Sequence, residues 1–235
     1  MPKPQVECCL SPALSSLYDL ENSTVVVNDI FRATSCFVSG IGSGVSSIRV
    51  VPTVEECEAW GNKGYVTAGE RNGVKVAGFE LGNSPFDYQQ PHLQGQKVCA
   101  TTTNGAQAMH IAKISDRVLI GAFLNLTAIT ELLLAEGKPV VVLCSGWKKR
   151  FCLEDTLFAG ALVSRLSGHF EVTDDAATGA MRLYDQAAHD LEGALAEAAH
   201  LKRLKNLSSG GDIPYCLKLD EFEVVPALKD GEVKG

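Results

Sequence analysis

The sequence predicts a layered α/β/α protein on a mainly parallel sheet. Two observations carry this. Short Val-rich apolar runs recur along the chain, and most are followed by apolar residues at helical spacing. Continuous runs such as Val25-Val26-Val27 and Val140-Val141-Val142-Leu143 suit strands buried on both faces, the situation of a parallel strand covered by helices. A third observation refines the picture. Both valine runs lead into a loop containing Arg and then a helix, so within one catalytic domain spanning 1–235 two similar lobes, about 1–125 and 126–235, could face a shared cleft.

The elements follow in order. The first strand is expected at 6–10 and the second at 24–28, with a helix after Arg32. The third, at 47–51, meets Pro52, after which a second helix begins. The fourth, at 64–68, leads towards Asn72-Gly73, a turn signal. A strand at 97–100 precedes a threonine-rich turn and a helix after Asn104. A strand at 117–120 precedes the clearest helix, after Asn125: Leu126, Ile129, Leu132 and Leu133 share a face, Gly137 supplies the stop and Pro139 follows. A strand at 140–143 is followed, past a loop, by a helix from Leu153, with Leu157, Phe158, Ala161 and Leu162 on its apolar side. Residues 176–205 are Ala-rich and charged and read as a partly exposed helical pair, with starts after Asp175 and near Asp190. Ser208-Ser209-Gly210-Gly211 breaks it. A last strand is expected at 222–225, ended by Pro226.

Bulk properties exclude several classes. The chain has 235 residues, 46% of them hydrophobic, enough for a full core. A net charge of −7 without a basic stripe argues against nucleic acid as a partner. The start, Met1-Pro2-Lys3-Pro4, has no apolar run of a signal peptide, and the most apolar stretch, 119–135, holds Asn125 and Glu131 and is too short to span a bilayer. No membrane role and a cytoplasmic location are expected, with a homodimer as the default assembly. Eight cysteines, at 8, 9, 36, 57, 99, 144, 152 and 216, form no CxxC pair or zinc spacing, so buried reduced thiols are expected. The histidines show no HxH or HExxH spacing, and His110, His189 and His200 read as partly exposed helix residues. Gly40-Ile41-Gly42-Ser43-Gly44 follows a helix, not a strand, which argues against a dinucleotide fingerprint.

Three loops at strand ends carry chemistry, as ligand-binding loops of open α/β sheets do. In Asn28-Asp29-Ile30-Phe31-Arg32-Ala33-Thr34-Ser35, Asp29 directly follows a buried strand, where a carboxylate is costly without a partner, and Arg32 can fork onto a phosphate or sulfonate. An Asp–Arg ion pair with a Thr34 or Ser35 helix cap is the structural alternative. Thr101-Thr102-Thr103-Asn104-Gly105 offers hydroxyls and N–H groups before a helix, an anion cradle. Cys144-Ser145-Gly146-Trp147-Lys148-Lys149-Arg150 runs from a strand into a helix, and Cys144-x5-Arg150 by itself suggests a cysteine-nucleophile phosphatase loop. That helix, however, opens with Glu154 and Asp155. Two carboxylates would repel a bound dianion unless a magnesium ion lay between, which moves the expectation to metal-assisted hydrolysis. Glu70 and Arg71, after another strand, could add a ligand and an anion contact.

Taken together, Asp29 to Ser35, Gly69-Glu70-Arg71, Gly78-Phe79-Glu80-Leu81-Gly82-Asn83-Ser84-Pro85, Thr101 to Gly105, and Cys144-Ser145-Gly146 with Glu154-Asp155 and Ala159-Gly160 resemble the 2-phosphosulfolactate phosphatases. The resemblance runs from the first strand to Val225-Pro226. It implies a cytosolic, Mg²⁺-dependent phosphomonoesterase hydrolysing 2-phospho-3-sulfolactate to 3-sulfolactate and phosphate, a step on one route to coenzyme M. It also implies an α/β fold peculiar to the family.

Residue chemistry then assigns expected roles. Mg²⁺ is expected on Asp29 and on Asp155 or Glu154, with Glu70 a further candidate. Asp29, Arg32 and Asp155 are the catalytic candidates, beside Cys144 under the cysteine alternative. A carboxylate, Asp29 or Asp155, could instead orient the attacking water. Thr34, Ser35, Asn83, Ser84, Thr102, Thr103, Asn104, Gly105, Ser145 and Gly146 are candidates for holding the small anionic phosphate ester. Arg71 and Arg150 are candidates for its sulfonate or carboxylate. A non-catalytic binder of phosphate or sulfonate metabolites is the other alternative.

Overall fold

The computed structural model describes residues 2–205 and 211–235. The strands are β1 (Gln5–Cys9), β2 (Thr24–Asn28), β3 (Ser47–Val50), β4 (Val66–Arg71), β5 (Val74–Lys75), β6 (Lys97–Thr101), β7 (Val118–Gly121), β8 (Val140–Cys144), β9 (Glu171–Val172), β10 (Ala227–Lys229) and β11 (Glu232–Lys234). They form one sheet in the order β5-β4-β6-β3-β11-β10-β7-β2-β8-β1-β9. Two parallel blocks, β4-β6-β3 and β7-β2-β8-β1-β9, are joined through the antiparallel hairpin β10-β11. The α/β class read from the sequence is the class observed.

The valine runs lie where continuous apolar strands belong. β2 and β8 are neighbours in the middle of their block, paired in parallel from Thr24↔Val140 to Asn28↔Cys144, and every residue of both is buried. Helices α1 (Ala33–Gly42), α2 (Val54–Gly61), α3 (Gly105–Ala112), α4 (Leu126–Glu136) and α5 (Leu153–Leu166) each follow a strand. Their ends carry local signals. Thr53 accepts the Glu56 N–H at the start of α2, and Gly137 closes α4 in the left-handed conformation at φ 58°. All eight cysteines are buried free thiols.

Two expectations are corrected. The predicted strand at 222–225 is not one. Asn125 Nδ2 donates to the Val224 carbonyl and the Phe222 N–H donates to the Leu124 carbonyl, so this segment is tied to a neighbouring loop. The strands come after Pro226 instead, as β10 and β11, because the tight turn at Asp230 and Gly231 permits a hairpin that fills the gap between the two blocks. The expected helical pair is three helices: α6 (Asp175–Ala187), α7 (Leu191–Ala194) and α8 (Ala199–Lys205). Asp190 splits them by accepting the Gly193 N–H at 2.9 Å. Of the Ser208 to Gly211 break, 208–210 lie outside the described residues. A short α9 (Asp212–Cys216) follows.

The order of strands has a consequence for the site. β6 and β2 stand five positions apart, about 24 Å on a flat sheet. Yet a Cβ built on Gly105, at the start of the helix after β6, would stand 3.1 Å from Asp29 Oδ2, at the end of β2. The loop after β6 carries α3 across to pack against β2 and β8, which sets the start of α3 beside the end of β2.

Candidate active site

A pocket of about 190 Å³ lies at these converging carboxyl ends. Asp29 and Arg32 come from the β2–α1 loop, Glu70 from the end of β4, and Thr102, Thr103 and Asn104 from the β6–α3 loop. Trp147 and Lys148 come from the loop after β8, and His200, Arg203 and Leu204 from α8. Phe31, Asn72, Gly73 and Asn83 complete the wall.

Asp29 is held by its own loop. Its N–H donates to Thr34 Oγ1 at 2.9 Å, and its carbonyl accepts from the Thr34 hydroxyl and N–H at 3.0 Å. One carboxylate oxygen, Oδ1, accepts the Ala33 N–H at 3.4 Å. The other, Oδ2, lies against Gly105, where any side chain would collide with Ala33 and crowd Asp29 and Thr102. Burial pushes the Asp29 carboxyl up to about 6; His200 opposes the shift and Glu70 and Glu154 add to it. Ser35 donates its hydroxyl to the Ile30 carbonyl. Thr34 and Ser35 therefore build the Asp29 loop and do not line the pocket.

Asp155 acts as a clamp between loops. Its Oδ1 accepts the Ile30 N–H at 2.9 Å and its Oδ2 the Gly146 N–H at 2.8 Å, and its carbonyl accepts from Asn28 Nδ2. Burial pushes this carboxyl well up, as do Glu154 and Asp29, against the pull of the two N–H bonds. Glu70 is clamped likewise: Oε1 accepts from the Thr103 N–H and hydroxyl, and Oε2 from the Gly73 N–H. Glu154 differs. Its Oε1 pairs with His200 Nδ1, and its Oε2 is buried with no hydrogen-bond partner among the described residues.

The remaining expected residues divide. Arg32 is buried and pairs with Asp212, whose Oδ1 also accepts from Ser84 Oγ at 2.7 Å. Thr102 Oγ1 accepts the Ala106 N–H at 3.1 Å in the first turn of α3, which caps that turn. Asn104 Oδ1 accepts the Lys148 N–H at 3.0 Å, joining the threonine turn to the loop after β8. In that loop Gly146 takes φ 59°, and a Cβ there would stand 2.2 Å from the Arg150 carbonyl oxygen. Ser145 is buried, its N–H donating to the Asn28 carbonyl.

Three residues are turned elsewhere. Cys144 is fully buried in β8; a hydrogen bond with Cys8 and then burial push its thiol well up, which disfavours a thiolate nucleophile. Arg71 donates to the Glu70 and Pro52 carbonyls and to Thr101 Oγ1. Arg150 closes a turn with Trp147 and is not among the pocket's lining residues.

His200, Arg203 and Asp212 were not singled out as site residues from sequence. His200, expected to be partly exposed, is 9% exposed, paired to Glu154 and set against the pocket. His200, Arg203 and Leu204 are spaced i, i+3, i+4, one face of a helix, which was the available signal. Asp212 had none, since its partner Arg32 is 180 residues away.

The fold and the pocket define an α/β protein with buried carboxylates and a threonine-rich turn at the carboxyl ends of its strands. The chain belongs to the 2-phosphosulpholactate phosphatase family, which it matches over residues 9–231. It is 37% identical over 212 residues to a Thermotoga maritima protein named "Probable 2-phosphosulfolactate phosphatase", covering 90% of this chain and 92% of that one. Proteins of the same name from Caldanaerobacter subterraneus subsp. tengcongensis and Nostoc punctiforme are 34% and 36% identical, covering 92% of this chain and 92% of the first, and 84% of this chain and 85% of the second. No described helix is long and apolar enough to cross a membrane.

Proposed function

We propose that this chain hydrolyses 2-phosphosulfolactate to 3-sulfolactate and phosphate with the help of Mg²⁺. The observation that carries the reading is Asp29. Its buried carboxylate, raised to about 6, turns Oδ2 towards the threonine cradle inside a pocket sized for a small ester, in a chain whose relatives bear that activity in their names.

The donor set supports an oxygen-seeking cation. Four carboxylates are buried within electrostatic reach of one another: Asp29 and Glu70 line the pocket, and Glu154 and Asp155 open α5 beside it. Asp155 and Glu70 have both oxygens engaged by N–H or hydroxyl donors. Asp29 Oδ2 and the partnerless Glu154 Oε2 are left as the two oxygens that would hold Mg²⁺, which takes one or two carboxylates beside phosphate oxygens and waters. Cys152, Glu154 and His200 also place ligand atoms within 4.8 Å of one another, but sulfur and imidazole suit softer metals. When bound, Mg²⁺ supplies charge neutralisation at the phosphoryl oxygens as the ester bond loosens.

The chain's own residues do the rest. Backbone amides of Asn104 and Gly105, at the start of α3, favour a dianion through the positive end of the helix dipole, while the Thr103 N–H is held by Glu70. Arg32, kept in place by Asp212, puts a guanidinium into the wall of the same pocket. Phe31 and Trp147 line the pocket with apolar surface and exclude bulk water, which strengthens each charged contact inside.

Phosphate release from 2-phosphosulfolactate, followed with Mg²⁺ and with excess chelator, tests the proposal. Release with Mg²⁺ that stops on chelation is expected. Full activity in excess chelator contradicts the metal role. Stabilisation by the ester with no phosphate released would favour the non-catalytic binder.

A further inference from the structure

The pocket wall carries two cations that the hydrolytic chemistry leaves unused. Lys148 and Arg203 both line it, and neither makes an ion pair among the described residues. Arg32, by contrast, is already neutralised by Asp212. Both unused cations gather on Trp147. The Arg203 guanidinium carbon stands 4.0 Å from the indole ring centroid, and Lys148 Nζ stands 4.9 Å from the same ring.

The loop that presents Trp147 and Lys148 is held at a conformational cost. Trp147 and Arg150 exchange backbone hydrogen bonds of 3.0 Å in both directions. Lys148 and Lys149, the two residues between, take φ 50° and 63°, the left-handed region that two-residue turns of this hand require and that lysine disfavours. Such a conformation persists only where neighbours over-determine it. Asn104 Oδ1 accepts the Lys148 N–H, and Ser11 Oγ donates to the Lys149 carbonyl at 2.6 Å. The Asn104 bond also fixes this turn to the phosphate cradle, so the two sit in a set relation.

We propose that Arg203, stacked on Trp147 and assisted by Lys148, is the subsite for the sulfonate of the substrate. This rests on the phosphatase reading, which places the phosphoryl group at Asp29 and the Asn104 and Gly105 amides. A three-carbon ester bearing phosphate, carboxylate and sulfonate needs further cations within a few bonds of the phosphate. Sulfonate spreads one charge over three oxygens and is weakly hydrated. A guanidinium is likewise weakly hydrated, presents a fork of donors, and is pre-oriented here by the indole face. Arg71 and Arg150, the residues expected from sequence for this task, are committed or placed elsewhere.

The test compares 2-phosphosulfolactate with 2-phospholactate, which lacks only the sulfonate, in wild type, Arg203→Met and Arg203→Lys. Loss of a charge-assisted contact should lower kcat/KM for the sulfonated ester about 10- to 100-fold in Arg203→Met, with partial recovery in Arg203→Lys. The same substitution should change kcat/KM for 2-phospholactate by no more than about threefold, since nothing is left for Arg203 to hold. Equal losses on both esters, or none on either, overturn the assignment. A thermal-shift arm separates the subsite from the reaction: 3-sulfolactate should stabilise the wild type more than lactate does, and Arg203→Met should erase the difference. If the wild type cleaves neither ester, the phosphatase reading fails, and this binding arm alone decides the subsite. Equal stabilisation by the two acids would then remove it.

Discussion

Asp29 is a carboxylate placed at the expense of stability. Its carboxyl is raised from the ordinary carboxylate range to about 6, chiefly by burial, so ionising it costs the folded state more than the unfolded chain. That cost is absent below about pH 4, grows as pH rises through the window from 4 to 6, and is fully present above. In the absence of divalent cations, Asp29→Asn should therefore be more stable than wild type at pH 8 by about 1–3 kcal/mol, with the gap closing towards pH 4. Urea unfolding at the two pH values checks this, and a less stable Asp29→Asn at pH 8 would contradict it. Mg²⁺ should raise the Tm of the wild type and not that of Asp29→Asn. Asp29 was legible in the sequence because a carboxylate after a fully apolar strand asks for a reason. Its neighbours were less so. Glu154 and Asp155 are adjacent and read alike, yet the structure makes Asp155 a backbone clamp and leaves Glu154 with an unsatisfied oxygen. Only the loops folded around them set that difference.

Among the elements, the C-terminal hairpin does most to join the sheet, and local pattern concealed it. β10 and β11 are three residues each, too short for a periodic signal, while the longer apolar stretch before Pro226 looked more like a strand. What fastens the hairpin is Glu232. Tyr65 donates its hydroxyl to Oε1 at 2.7 Å, Arg49 donates to the same oxygen at 3.0 Å, and Lys234 approaches Oε2 at 3.1 Å. Burial alone would raise this carboxyl, but the bonds from Tyr65, Lys234 and Arg49 outweigh it and draw it down to about 2. A depressed carboxyl contributes stability that is fully present above its unfolded value near 4.5 and is lost as pH falls towards 2. Glu232→Gln should lower unfolding free energy by about 2–3 kcal/mol at pH 7, and this deficit should shrink from pH 4.5 downwards. Denaturant titrations from pH 7 to 3 measure both, and a deficit unchanged at pH 3 would contradict the role given to Glu232. Elements with strong periodicity fared better: α4 starts at Leu126 and stops at Gly137, as its leucine face and glycine predict. Helix α8 was seen as a helix, but the shared face of His200, Arg203 and Leu204 was its one signal, and helical spacing alone does not say that this face meets a pocket.

At the scale of the whole molecule, the site exists because the helix that leaves one parallel block packs on the other, so that loops from both blocks meet. Glu70 and the Thr102 to Gly105 turn belong to one parallel block, and Asp29, Gly146 and Asp155 to the other or its helix. Recurrent strand–helix alternation made the α/β class readable, and the polar loops after the strands named most of the pocket. Contacts that depend on the closing of the sheet, such as Arg32 with Asp212 and Glu154 with His200, link residues 180 and 46 positions apart and have no local signature. The same closure sets the two candidate groups in different places. Cys144 lies inside β8, away from the pocket, and Asp29 lies in its wall. The most direct measurement is phosphate release from 2-phosphosulfolactate with Mg²⁺, made side by side on wild type, Asp29→Asn and Cys144→Ser. Asp29→Asn should lose at least about 100-fold in kcat/KM, and Cys144→Ser should stay within about tenfold of wild type. Activity surviving in Asp29→Asn and abolished in a folded Cys144→Ser would contradict the account and return the cysteine to the centre of the mechanism.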